Sequence, residues 1–187
     1  QHDPLTGLAN RAMLLDQLER DLSLARRHGH GLALLYMDLD GFKPVNDCFG
    51  HQVGDRVLKT IAGRFSATIR DSDLLCRLGG DEFVVLVPVA TSTAALEAMA
   101  WNLVEASRKP FTELNVSVAI SASVGIARFP EHGVNAEQLL SAADGAMYQA
   151  KHSKSLPVQV ATGPEPSPDG KGPQARSRVM DGRASSS

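Results

Sequence analysis

Apolar positions between Asn10 and Arg27 recur every three to four residues. Met13, Leu14, Leu18, Leu22 and Ala25 share one face of a predicted helix, and Asn10 stands at its N-cap position. The pattern then changes. "GLALLYMDLD" after His30 is a continuous apolar run closed by acids, the mark of a buried strand. "GDRVLKTIAGRFSATIR" returns to helical spacing, with Val57, Leu58, Ile61 and Phe65 inward. "DLLCRLGGDEFVVLVPV" reads as a β-hairpin folded at Gly79-Gly80. "STAALEAMAWNLVEASRK" is a third helix, on which Trp101 reads as core. "VSVAISASVGIARFP" is one long strand, and "NAEQLLSAADGAMYQAK" a last helix capped by Asn135. The order α-β-α-β-β-α-β-α predicts an α/β (α+β) domain, a mixed sheet with helices packed on it.

From Ser155 the periodicity stops. "SLPVQVATGPEPSPDGKGPQARSRVMDGRASSS" is rich in Pro, Gly and Ser and predicts a disordered tail or linker. The folded domain is expected over residues 3–154. A net charge of −2 provides no basic field for nucleic acid or an anionic membrane. No apolar run approaches the ~18 residues of a membrane helix. The chain begins at Gln1 without a signal peptide, which reads as a piece of a longer, cytoplasmic protein; any membrane anchor would lie upstream. Cys48 and Cys76 have no metal or redox spacing and are expected as free thiols; the six histidines are too scattered for zinc.

The acids carry the chemistry. Asp38 and Asp40 close a buried strand at i, i+2 and so share a face. A carboxylate there is costly to desolvate without a partner. A solvated strand end and a hard-cation site both fit this segment alone. Asp81 and Glu82 sit at the hairpin tip. If the hairpin lies beside the Asp38 strand, three or four carboxylate groups converge and need cations. Acids from two strands suit Mg²⁺ with a nucleoside triphosphate, although a charged hairpin tip is an ordinary alternative. In "FKPVNDCFGHQVGD", Asn46 offers an amide and Asp55 can accept from paired N–H donors such as those of guanine. Lys43 can reach a phosphate, and Gly50 and Gly54 admit a close approach. For that segment alone, an Asn-Asp turn followed by an Asp55-capped helix is the preferred reading.

Together, "DPLTGLANR", "MDLDGFKPVNDCFGHQVGD", "RLGGDEF", "SVGIARFP" and "ADGAMYQAK" resemble the GGDEF-domain family of diguanylate cyclases, in order and over nearly all of residues 3–151. The resemblance implies a nucleotidyl-cyclase-like, palm-like fold, with a central mixed sheet flanked by helices and a hairpin carrying the motif. It implies condensation of two GTP into cyclic di-GMP and two pyrophosphates, in bacterial second-messenger signalling. Asp38, the carbonyl of Leu39, Asp81 and Glu82 would hold Mg²⁺, with Mn²⁺ able to replace it. Asp81 and Glu82 would assist deprotonation of the attacking hydroxyl. Asn46 and Asp55 would read guanine. Lys43, Lys151 and the backbone at Gly41 and Phe42 would meet phosphates, and Gly79 and Gly80 would admit GTP over the hairpin. Arg70 and Asp73, an R-x-x-D, match an inhibitory site for the product. Catalysis would need a homodimer, since each domain supplies half a site. One departure stands out: Lys154 and Ser155 occupy positions where the family has Gly and a phosphate-binding Arg. A GTP- or cyclic di-GMP-binding regulatory module with weak or no turnover is the alternative.

Overall fold

The computed structural model describes residues 1–90, 92–153 and 156–163. Helix α1 (Arg11–His28) begins where Asn10 Oδ1 accepts from Met13 N at 3.1 Å. It ends at Gly29, whose φ of 71° closes the last turn. Leu14, Leu18, Leu22 and Ala25 are buried as the spacing predicts, and Met13 is partly so. Strand β1 (Gly31–Asp40) follows. It is central because both neighbours pair with it: the sheet order is β2-β3-β1-β4-β5. Strands β2 (Leu74–Gly79), β3 (Glu82–Ala90) and β4 (Ser121–Phe129) form antiparallel ladders.

A strand alternates its side chains, so β1 faces two cores. Ala33, Leu35, Met37 and Leu39 pack with helix α3 (His51–Thr68) and helix α4 (Thr93–Arg108). Leu32, Leu34 and Tyr36 pack with α1 and helix α5 (Ala136–His152). Helix α5 lies so close to β4 that a Cβ on Gly125 would fall 2.1 Å from the Ala143 carbonyl oxygen. Ser92 and Asn135 cap α4 and α5 through their side chains, and Trp101 packs at the edge of the core as expected.

Four sequence expectations are corrected. The segment read as a loop after β1 contains helix α2 (Phe42–Phe49). Pro44 hides it in the sequence, but Pro44 is its third residue, where no intrahelical N–H is needed. Helix α3 then starts at His51, so Asp55 lies in its second turn and is not an N-cap. The hairpin turns at Gly80 and Asp81, one residue later than expected, because Gly79 already pairs with Glu82. Gly80 takes φ 49° there. Strand β4 starts at Ser121, not at Val116. Its partner ends at Asp40, and Gly41 turns away at φ 84° with the Ala119 carbonyl oxygen 2.4 Å from where a Cβ would stand.

The domain boundary is corrected as well. Strand β5 (Val158–Val160) runs parallel to β4, inside the stretch expected as tail. Three residues are too few to show a period of two. Val124 N donates to Pro157 O and Ala161 N to Ile126 O, both at 2.7 Å, so the folded sheet passes Lys154. The remainder of the expected tail, residues 164–187, lies outside the described residues. Cys48 and Cys76 are free thiols. Among the described residues no helix is long and apolar enough to cross a membrane.

Candidate active site

The β1 register brings the acids together. Asp38 lies directly across from Glu82 on β3, and Leu39 N donates to the Asp81 carbonyl oxygen at 3.3 Å. The expectation that the hairpin lies beside the Asp38 strand is met. Asp81 is half-buried, and its carboxyl is pushed up to about 6, by burial first and then by the nearby Asp38 carboxylate. Two acids that disfavour each other's charge in a partly dry place call for a cation.

One cation is already there. Lys151, on the last turn of α5, reaches across to Asp38 Oδ2 at 2.5 Å. Burial works against the ammonium, but Asp38, Asp40 and Asp81 outweigh it and hold its pKa above the ordinary value. The other oxygen, Asp38 Oδ1, is buried and has no hydrogen-bond partner among the described residues. A buried carboxylate oxygen left unpaired costs free energy, roughly 1–3 kcal/mol or more. The site therefore retains an unspent acceptor aimed into the acid pair. Asp40 is settled differently: its Oδ2 accepts from Ser123 Oγ at 2.6 Å.

Glu82 is engaged from beneath. Tyr36 Oη donates to Glu82 Oε2 at 3.2 Å. Burial, then Glu82 and Asp144, push the phenol pKa up, so it remains a donor. No three His, Cys, Asp or Glu side chains among the described residues form a set that could hold a metal by themselves. Asp38 and Asp81 are two carboxylates that lie close together. A magnesium ion fits such a donor set, since it takes one or two carboxylates and fills its remaining positions with phosphate and water oxygens.

The turn that carries Asp81 is clamped from the N-terminus. Arg77 donates to the Gly80 carbonyl oxygen from Nε at 3.0 Å and from Nη2 at 2.8 Å. Its Nη1 meets Asp3 Oδ1 at 2.9 Å. Asp3 also accepts from Thr6 N and Oγ1 at 2.8 and 2.6 Å. Burial opposes its charge, but these bonds and Arg77 hold its pKa below the ordinary value. Sequence reasoning assigned no role to Tyr36, Arg77, Asp3 or Thr6. An Arg three residues before a Gly-rich turn was the available signal.

The residues expected to read the base lie on two neighbouring helices. Asn46 on α2 covers Gly54 on α3: a Cβ there would stand 1.8 Å from Asn46 Oδ1. Only glycine at 54 lets the two helices close, and Asp55 follows it, exposed, beside a half-buried Asn46. Gly41 precedes α2, Phe42 is buried and Lys43 is exposed. The amides of that first helical turn lack intrahelical acceptors. Gly79, at φ 144°, and Gly80 leave open space above the hairpin. Arg70 and Asp73 form a turn: Asp73 Oδ2 accepts from Arg70 N at 3.1 Å, and Asp73 N donates to Arg70 O at 3.0 Å. The Arg70 side chain is exposed. Lys154 and Ser155, read as the altered phosphate element, lie outside the described residues.

The family model described as diguanylate cyclase, GGDEF domain, matches residues 1–156. The chain is 45% identical over 150 residues to the bifunctional diguanylate cyclase/cyclic di-GMP phosphodiesterase MucR of Pseudomonas aeruginosa, covering 80% of this chain and 22% of that protein. It is 45% identical over 152 residues to the diguanylate cyclase TpbB of the same organism, covering 80% of this chain and 35% of that one. The chain thus spans about a fifth to a third of the curated relatives it matches. A solved structure of the TpbB GGDEF domain alone superposes with a TM-score of 0.81 at 41% identity, over 86% of this chain and 94% of that chain. The GGDEF domain of DgcB from Caulobacter crescentus, solved in complex with c-di-GMP, superposes with a TM-score of 0.75 at 27% identity, over 85% of this chain and 94% of that chain.

Proposed function

The chain belongs to the GGDEF-domain family of diguanylate cyclases, and from that premise we propose that it condenses two molecules of GTP into cyclic di-GMP and two pyrophosphates. The observation that carries the reading is the acid pair: buried Asp38 Oδ1 has no partner among the described residues while Asp81 beside it is driven toward its neutral form. A bound divalent cation, Mg²⁺ or Mn²⁺, would be held by Asp38 and Asp81, with Glu82 and the Leu39 carbonyl as further donors. When bound, it would polarise the α-phosphate and lower the pKa of the attacking 3′-hydroxyl.

The protein's own residues do the rest. Asn46 and Asp55 hold the guanine edge, and Asp55 prefers guanine over adenine because it can accept two N–H donors at once. The first-turn amides of α2 after Gly41, with Lys43 and Lys151, neutralise the phosphates. Glu82, steadied by Tyr36, would accept the 3′-hydroxyl proton. The Arg77 clamp holds the hairpin that carries these acids, so little positional freedom remains to be lost on binding. Each domain positions one GTP, so two copies must face each other, and the active species is a homodimer. Product returns to the Arg70–Asp73 turn, where the exposed guanidinium can grip phosphate or a guanine edge.

The test is incubation of the protein with GTP and Mg²⁺, with cyclic di-GMP measured across protein concentration. Formation that rises more steeply than the first power of concentration is expected. GTP binding with no product at any concentration would overturn the cyclase reading in favour of a regulatory binding module.

A further inference from the structure

Helix α4 packs on the α3 side of the sheet, yet its last residue serves the opposite side. Ala122 and Val124 of β4 belong to the α3–α4 core, so Ser121 and Ser123 point the other way, toward α5. Arg108, at the C-terminal end of α4, reaches around the start of β4 and donates from Nε to Ser121 Oγ at 2.9 Å. That bond uses the inner nitrogen of the guanidinium. Among the described residues, no other hydrogen bond engages the two Nη groups, the two-pronged end of the fork.

Arg108 opens onto a cavity of about 270 Å³ lined also by Lys151, Ser121, Ser123 and Asp40. Lys151 ties this cavity to the acid pair, since the same ammonium that lines it holds Asp38. Asp40 opposes an anion, but Ser123 donates to it, and Arg108 has no carboxylate partner among the described residues. Across the β1–β4 ladder, Ser121 pairs with Asp40, the residue before Gly41 and the first turn of α2. The cavity therefore adjoins the place where the phosphates of a bound nucleotide would lie.

We propose that this cavity is an anion subsite for the far end of the triphosphate, with the Arg108 fork as its main ligand and Ser121 as the residue that aims it. The inference rests on GTP being the ligand, as proposed above, and adds a cation that the sequence reading did not assign. An arginine fork matches two phosphate oxygens at once, whereas Lys151 offers a point charge. Discrimination follows: a nucleoside monophosphate does not extend to Arg108, and a triphosphate does.

The probe is 3′-deoxy-GTP, which lacks the attacking hydroxyl and cannot be cyclised, with GMP as the short control. Calorimetry on the parent chain, Arg108→Ala, Arg108→Lys and Ser121→Ala is the measurement. Arg108→Ala should weaken 3′-deoxy-GTP binding about tenfold while leaving GMP within about twofold. Arg108→Lys should recover part of the loss, and Ser121→Ala should cost about two- to threefold. Arg108 is exposed, so its variants should melt with the parent. Unchanged triphosphate affinity, or equal losses for triphosphate and GMP, would overturn the subsite. Tight triphosphate binding by a parent that makes no cyclic di-GMP would remove the cyclase reading and leave the subsite standing. A parent that does not bind 3′-deoxy-GTP would remove both.

Discussion

Two aspartates flank strand β2, and their environments differ in one respect. Asp73 precedes the strand and Asp81 follows it. Burial raises the pKa of both. Asp73 answers that cost locally: its carboxylate accepts from Arg70 N, and its pKa rise is opposed by that bond and by the Arg70 charge. Asp81 meets a second carboxylate instead, and the buried Oδ1 of that Asp38 has no hydrogen-bond partner among the described residues. A buried acid satisfied by its own turn shapes the backbone. A half-buried acid set against another acid stores a demand that its own turn does not fully meet. The first belongs to architecture and the second to chemistry, although both read as turn aspartates in the sequence.

The sharpest way to break this contrast is to neutralise each acid. Asp81→Asn should lower cyclic di-GMP formation by ~10² or more, as for loss of a group acting on developing charge. Asp73→Asn keeps the shape of its turn and should leave turnover within about threefold. Comparable losses in both variants would erase the distinction. The proposed base-reading pair offers a smaller effect. Asp55→Ala would leave guanine N–H groups unpaired, costing roughly 1–3 kcal/mol, so the ratio of GTP to ATP affinity should fall about tenfold or more. An unchanged ratio would make Asp55 a surface residue of α3.

The Asp73 turn has its own test, smaller again. Arg70→Ala keeps the backbone N–H that Asp73 holds and removes only the exposed guanidinium. Cyclic di-GMP should then bind several-fold more weakly and inhibit less, with GTP affinity unchanged. Equal product affinity in the variant would leave Arg70–Asp73 with a structural role alone.

What was legible in the sequence follows from range. Helix faces and the β1 run depend on neighbours three or four residues apart, and they appeared with their caps. The convergence of Asp38 with Glu82 needed only the guess that hairpin and strand are adjacent. Helix α2 was hidden because Pro44 and Gly50 punctuate eight residues, and only the position of Pro44 within the first turn makes it harmless. Strand β5 was hidden because its pairing with β4 is set by the sheet edge and not by its own three residues. The Lys151 contact with Asp38 spans a sequence separation of 113, and the Arg77 contact with Asp3 one of 74. The blocks "DPLTGLANR" and "RLGGDEF" were both visible, but nothing within either says that one clamps the other.

The last prediction is the smallest and isolates the stored demand itself. In metal-free protein the Asp81 carboxyl titrates near 6 when folded, against an ordinary value of 3.8. The folded state thus takes up this proton more readily than the unfolded chain, so Asp81 costs stability as pH rises through that window. Below about pH 4 both states hold the proton and the cost vanishes; above about pH 6 the cost is complete. Asp81→Asn cannot titrate. With a chelator present, its melting temperature should match the parent's at about pH 4 and exceed it by a few degrees at about pH 7.5. The subtraction cancels groups that titrate alike in both proteins. Adding Mg²⁺ at about pH 7.5 should raise the parent more than the variant, because the ion meets the demand that the substitution has removed. A melting-temperature gap that is the same at both pH values would mean that Asp81 is as settled in its turn as Asp73 is in its own.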